Sequence, residues 1–371
     1  MLVHVLVLNY NGRRLLAECL PSVVDAARAS RHPTTVAVID NDSRDDSVAW
    51  LGEHFPQVEL IRRPNRALVS FNDVVAGLPG EVALLLNNDV KLDQGAIDPL
   101  VEPLGDRCFM TAPRCVRFDG VTYEGLKAAV RWRFGLVEAT VFYPGHQQVI
   151  ELPDLTAAAG SVLAIDRRIF ASLGGFDPLY LPGRLEDLDF AYRGYMAGYH
   201  ARYVPDALAY HLGMGTFAAV YGEDGCAWLA LRNTLLFQWK NLRHPLHRAR
   251  GIGGLAVRLM FDLVRAPWTP PARRWALVRA LLAAMVRWRQ MRVQEGDSPI
   301  LGTMLRMVAG KSGQSPSYSI RRERDFFQRF CPRRLGRTGK GTVPELFRLA
   351  AAGTAAKAAT NQRASLVEVS R

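Results

Sequence analysis

The stretch Glu81-Val82-Ala83-Leu84-Leu85-Leu86-Asn87-Asn88-Asp89-Val90 decides the reading of this chain. Its apolar run, Val82 to Leu86, predicts a short strand buried on both faces, as strands of a parallel sheet are. The run stops abruptly in Asn-Asn-Asp, three polar side chains at the carboxyl end of a core strand. In open α/β sheets, ligands bind outside the carboxyl ends of the strands. Asp89 offers a hard oxygen there, suited to a divalent cation that keeps its waters and meets a substrate phosphate. A plain turn would account for Asn and Asp equally well, so the weight has to come from the rest of the chain.

Upstream, the same pattern occurs twice. Leu2–Leu8 predicts a buried strand that ends at Asn9-Tyr10-Asn11-Gly12, and Thr35–Ile39 predicts another that ends in the polar run Asp40 to Asp46. Between them Arg13 to Ala29 has helical spacing, with a kink expected at Pro21. Ser47 to Phe55 and Arg66 to Gly77 predict further helices around a strand at Val58–Ile61. Strands alternating with helices point to βαβ units. The expected fold is therefore α/β and Rossmann-like, a mostly parallel central sheet flanked by helices. Three polar strand ends along one edge make a site where a single one would mean little.

Residues 106–155 are harder to read, with strand-like pieces at Arg131 to Phe134 and Val141 to Tyr143. Order returns at Ala157 to Arg168, a strand running into a helix, followed by the turn Gly174-Gly175-Phe176-Asp177. Leu185 to Arg193 predicts a helix with an acidic first turn, where Glu186 and Asp187 suit the helix dipole. The strand His200–Val204 then leads through Pro205-Asp206-Ala207 to His211.

Charge divides the chain. Residues 1–211 hold 20 Lys/Arg against 26 Asp/Glu, and residues 212–371 hold 27 against 9, so the two parts should meet different partners. In the basic part, Cys226 to Lys240 predicts a helix carrying Arg232-Asn233. Leu255–Val264 and Trp275–Trp288 predict Arg-flanked amphipathic helices. Such helices suit an anionic membrane surface, a reading placed ahead of a solvated or oligomer-forming face and of nucleic acid. The five cysteines are scattered without a Cys-x-x-Cys pair, which argues against a disulfide framework or zinc site and for a reducing compartment. The first residues lack a basic leader and cleavage site, and no apolar run approaches a membrane span of roughly 18–20 residues. The expected location is cytoplasmic, peripheral on the cytoplasmic face of a membrane.

Taken in order, these motifs resemble the large inverting family of nucleotide-sugar glycosyltransferases with the glycosyltransferase A fold, rhamnosyltransferase-like members above all. Leu8-Asn9-Tyr10-Asn11 matches the opening turn of that family, and Asp40-Asn41-Asp42-Ser43 matches its DNxS element. Asn87-Asn88-Asp89 stands at its Asp-x-Asp metal motif. Gly174 to Asp177, Glu186-Asp187 and Pro205 to His211 match its acceptor-side motifs. The resemblance covers about residues 3–240. It departs at Asn65 to Asn72, where Ala67 replaces a glycine, and at Asn87, which leaves metal binding leaning on Asp89.

The resemblance implies a catalytic domain over 1–240, with a nucleotide half over about 1–105 and an acceptor half over about 106–240. A basic helical extension over 241–310 and a largely disordered tail over 311–371 would follow. It implies a UDP- or dTDP-sugar donor, bound by Asn9, Tyr10, Asp40, Asn65 and Asn88. It also implies a divalent cofactor, Mg2+ or Mn2+, on Asp89 and His211. Asp187 would be the general base, with Glu186 beside it, acting on a saccharide or polyprenyl-linked acceptor. A catalytically silent binding module is the alternative. A sugar nucleotidyltransferase is weaker, because that chemistry wants a glycine-rich phosphate loop after the first strand.

Overall fold

A computed structural model describes residues 1–124, 127–213, 215–269, 275–294 and 319–331. The sheet is built outward from the two strands that the sequence marks most strongly. β1 (Val3–Asn9) pairs in parallel with β2 (Thr34–Asp40) on one side and with β4 (Val82–Asn87) on the other. β3 (Glu59–Arg62) extends the row beyond β2, also in parallel. Val82 to Leu86 are all buried, as a strand covered by helices on both faces requires.

Beyond β4 the sheet becomes mixed. β10 (Val162–Asp166) runs antiparallel to β4 and to β6 (Cys108–Val116), and β11 (His200–His211) is parallel to β6. The short strands β5 (Val90–Leu92) and β9 (Asp154–Leu155) pair antiparallel with β11. The final order is β3-β2-β1-β4-β10-β6-β11-β5 with β9 alongside β11. The expected parallel pairing thus holds through the first four strands of that order, and antiparallel strands enter where the chain turns back toward the same edge.

Helices cover both faces. α1 (Arg13–Ala29) is one helix with Pro21 inside it, and α2 (Ser47–His54) follows. The stretch predicted as a helix from Arg66 is a 3-10 turn, Ala67–Val69, that leads into α3 (Ser70–Gly77). α4 (Ile97–Val101), α5 (Arg167–Ser172) and α6 (Glu186–Ala197) complete this part. The obscure middle contains a two-stranded hairpin, β7 (Ala129–Arg133) and β8 (Leu136–Thr140). α7 (Gly215–Asn241) is broken at Gly222 and runs longer than its periodicity suggested. α8 (Pro245–Arg265) and α9 (Ala276–Gln294) follow it.

Within 311–371, read as a largely disordered tail, Ile320–Phe330 forms helix α10. Its Phe326, Phe327 and Phe330 share one buried cluster with Tyr192 of α6, Phe237 of α7 and Trp288 of α9. Glu323, fully buried, accepts hydrogen bonds from the backbone nitrogens of Arg243 and His244 and bonds the His247 ring. Basic composition hid three aromatic residues at helical spacing. Residues 270–274 and 295–310 of the extension, and the rest of that tail, lie outside the described residues.

Candidate functional site

Strand register places the polar clusters side by side. Asn9 pairs with Asp40 across β1 and β2, and Leu8 stands opposite Asn87 across β1 and β4. Asn88 donates to the Asn9 side-chain oxygen at 2.8 Å, and Asn9 donates to Ser43 Oγ at 3.3 Å. Gly12 lies against this pair so closely that a Cβ would come within 2.0 Å of Asn88 Nδ2, which explains the glycine at that turn. Asp40 accepts the Ser43 N–H through Oδ2, and Asn41 donates to the Ala67 carbonyl. Asn65 accepts the Ala67 N–H at 3.1 Å. Ala67 itself holds φ of +47°. The turn has kept the left-handed backbone that glycine adopts freely, at a cost to alanine of about 1–2 kcal/mol.

These strand ends open into a cleft of about 1800 Å³ whose lining includes Tyr10, Asn41, Asn65, Asn88, Asp89, Glu186, Asp187 and His211. Asn9 and Asp40 are buried at its margin. Of the residues expected in a site, all therefore converge on one region, drawn from six separate segments of sequence. Asp89 is brought to His211 because β5, just after it, pairs with the last residues of β11. A register shift between Val204 and Leu208, at Pro205-Asp206-Ala207, separates the two halves of β11 and aims that end. His211 Nε2 lies 3.4 Å from Asp89 Oδ1, and its Nδ1 lies 3.1 Å from Glu124 Oε2. Burial alone would lower the imidazole pKa, but the Asp89 and Glu124 carboxylates outweigh it and lift the group to about 9. The His211 contact holds the Glu124 carboxyl below its ordinary value.

Glu124 and Ser161, both on the cleft wall, escaped sequence reasoning. Glu124 lies in the unreadable middle, and nothing in its neighbours marks it. Among the described residues no group of three or more His, Cys, Asp or Glu is arranged as a metal cage. Asp89 nonetheless fits a divalent ion, because its buried Oδ1 makes no well-formed hydrogen bond and faces only His211 Nε2, at a long 3.4 Å. Magnesium-type sites use only one or two carboxylates and take their remaining ligands from water and phosphate.

Across the cleft, Glu186 and Asp187 open α6. Burial first, and then the neighbouring Asp187 charge, push the Glu186 carboxyl up to about 8. Burial raises Asp187 too, against hydrogen bonds from the Leu188 and Gly160 backbone. One turn on, Asp189 behaves oppositely: Lys240 and Arg193 overcome its burial and hold it far below the usual carboxylate range. Lys240 also reaches Asp177 at 2.6 Å, so one ammonium ties the Gly-Gly-Phe-Asp turn to α6. The adjacent Gly175, at φ +63°, packs against Asn72, whose amide bonds both backbone groups of Phe176.

A parallel row ending in polar turns, then a mixed half returning an acidic helix to the same cleft, is the architecture of the glycosyltransferase A fold. Residues 4–173 match the family described as Glycosyl transferase family 2. Among relatives, it is 26% identical to N-acetylglucosaminyl-diphospho-decaprenol L-rhamnosyltransferase of Mycobacterium tuberculosis, over 49% of this chain and 68% of that protein. It is 22% identical to putative polypeptide N-acetylgalactosaminyltransferase 10 of Drosophila melanogaster, over 48% of this chain. The match spans only 30% of the length of that fly protein. Among solved structures, it is similar to mannosyltransferase PcManGT from Pyrobaculum calidifontis in complex with GDP-Man and Mn2+ (TM-score 0.47, 17% identity, 77% of this chain and 86% of that one). It is also similar to S. aureus TarS 1–349 in complex with UDP-GlcNAc (TM-score 0.49, 14% identity, 77% and 81%).

Proposed function

We propose that this chain is an inverting glycosyltransferase that moves a sugar, rhamnose among the candidates, from a UDP- or dTDP-sugar. The acceptor is a hydroxyl of a saccharide or polyprenyl-linked molecule in cell-surface polysaccharide synthesis. The catalytic domain is taken as 1–240, with donor and acceptor halves meeting near residue 105. One observation carries the reading. Among the described residues, Asp40 Oδ1, Asn41 Oδ1, Asp89 Oδ1, Ser161 Oγ and Glu186 Oε2 are buried side-chain oxygens without a hydrogen bond, Asp89 having only the longer ion-pair contact with His211. All five belong to the strand ends or the cleft wall. Buried polar atoms are normally paired, so a cluster of orphans marks where a polar ligand belongs.

In this reading Asp40 accepts the ring N–H of uracil or thymine, and Asn9 and Tyr10 flank the base, with Asn65 and Asn88 beside them. Asp89 would hold Mg2+ or Mn2+, with His211 joining once the ion displaces its proton; the bound ion would neutralise charge on the diphosphate. Asp187 takes the proton from the acceptor hydroxyl as its oxygen attacks the anomeric carbon from the face opposite the diphosphate. A single displacement of that kind inverts the anomeric centre.

The test is a thermal-shift panel of UDP-, dTDP- and GDP-sugars, each with and without Mg2+ or Mn2+. A ligand that binds only the folded state raises the melting temperature in step with occupancy. Metal-dependent stabilisation by a UDP- or dTDP-sugar is expected. No shift with any of them would leave the silent binding module as the better account.

The raised carboxyls give a second expected result. Near neutrality the Glu186–Asp187 pair retains a proton that an ordinary carboxylate pair would have lost, and the base form accumulates as pH rises. The value of kcat/KM, which reports the free enzyme, should therefore climb between about pH 6 and about pH 9, in the steps of a coupled pair. A profile already flat above about pH 6 would remove the pair from the proton transfer.

A polyprenyl-linked acceptor would be met at a membrane. No helix among the described residues is long and apolar enough to cross one. α8 and the 3-10 turn Ala266–Trp268 after it, however, turn an apolar stripe outward. Val257, Met260, Phe261, Val264 and Trp268 recur at spacings of three and four and are between 47% and 81% exposed. Phe134, at the tip of the β7–β8 hairpin, joins the stripe beside Phe261, with ring centroids 6.3 Å apart. Residues 241–294 carry 11 arginines against one acidic residue, Asp262. Apolar anchors among arginines suit the interface of an anionic bilayer. The protein should sediment with vesicles rich in anionic lipid, and Met260→Ser with Phe261→Ser should reduce that fraction several-fold. Equal sedimentation of the double variant would remove this surface from membrane contact.

A further inference from the structure

The backbone that delivers Glu186 and Asp187 to the cleft is held in an unfavourable conformation. Arg184 and Leu185, immediately before them, stand at φ +78° and +71°. Two successive non-glycine residues in the left-handed region are costly, and such a turn persists only where its surroundings over-determine it. The restraint comes from α7. Asn233, fully buried, donates through Nδ2 to the carbonyls of Tyr180, Gly183 and Arg184 at 2.8, 2.7 and 2.8 Å. Its Oδ1 accepts from Arg232 Nε at 2.9 Å, which fixes which way the amide points, and Arg232 also donates to the Leu181 carbonyl. No other residue type of this size offers a two-hydrogen donor with an acceptor beside it.

We propose that Asn233 is a positioning residue for transfer: its amide locks the left-handed Arg184–Leu185 turn and thereby sets where the Glu186 and Asp187 carboxylates stand. The helix that does this also faces the acceptor side, since Trp228, Leu231 and Thr234 of α7 line the cleft. Acceptor seating and base placement therefore depend on one rigid element. The donor end of the cleft, built on β1, β2 and β4, is independent of it.

The inference rests on the reading of Asp187 as the base, and the experiment separates the two. Asn233→Ala is expected to lower kcat by about a hundredfold, the scale of loss from misplacing a catalytic group by an ångström. Donor nucleotide affinity should stay within about twofold of the parent, because that site is untouched. Adding Leu185→Gly should recover about tenfold in kcat, since glycine takes the left-handed turn without strain. Should Asn233→Ala fail to fold, Asn233→Ser, which keeps one donor, carries the same comparison. Full kcat in the folded variant overturns the proposal, as does a fall in donor affinity parallel to kcat, which means general damage. Failure of Leu185→Gly to recover activity also counts against it. If Asp187→Asn remains active, the reading of the base has failed instead.

Discussion

Asp187→Asn is expected to reduce turnover by about 10²- to 10⁴-fold, the usual contribution of a positioned general base. The amide keeps the size of the side chain and its place at the start of α6, but it cannot take the acceptor proton. Nucleotide affinity should be close to that of the parent, because the strand ends across the cleft, proposed above to hold the nucleobase and diphosphate, are left intact. The loss should therefore appear in kcat and not in donor binding. Glu186→Gln offers an internal comparison. Its carboxyl, pushed up to about 8 by burial and by Asp187, is largely protonated near neutrality, so the neutral amide should cost less there. Asp187→Asn with full activity would show that the proton leaves by another route.

Asp89→Ala is expected to act at the other end of the reaction. It removes the buried Oδ1, whose one polar neighbour is His211 Nε2 at 3.4 Å, and leaves His211 with Glu124 alone as a carboxylate partner. On the proposed reading, a divalent ion would then lose its first protein ligand. Metal-dependent donor affinity should fall by on the order of a hundredfold, since the charge neutralisation a bound ion supplies is worth several kcal/mol. Titration of the donor nucleotide sugar with and without Mn2+ checks this. The parent should show a large difference between the two conditions, and the variant should show almost none. An Asp89→Ala protein that still binds donor more tightly with Mn2+ would place the ion elsewhere. Together the variants separate donor binding from proton transfer, and the Asn233 variants then ask what holds the second in place.

Much of the fold was legible because burial writes itself into sequence. Strands covered on both faces need uninterrupted apolar runs, so Val82–Leu86 and Leu2–Leu8 announced themselves, and the polar residues just past them were conspicuous. Pairing of Asn9 with Asp40 follows from parallel register once the strands are known. The middle of the chain was illegible because its hairpin is short and one face of it is covered by α7, which comes about a hundred residues later: Gln238 bonds Val137 N and the Gly135 carbonyl. The same kind of distance hid α10, whose burial depends on aromatic partners in α6 and on the backbone at residues 243 and 244.

The sequence by itself determined which residue types stand at the ends of the core strands, and in what order the elements come. Tertiary structure alone decided what those residues can do. Asp187 and Asp189 lie two positions apart in one helical turn, yet burial raises the first, while Lys240 and Arg193 hold the second ionised. Nothing in Leu185-Glu186-Asp187-Leu188-Asp189 announces that difference. A carboxyl's protonation depends on the water removed from around it and the charges brought to it. Here the deciding charge of Lys240 comes from a helix about fifty residues further along the chain, as does the Asn233 amide that holds the turn in front of them.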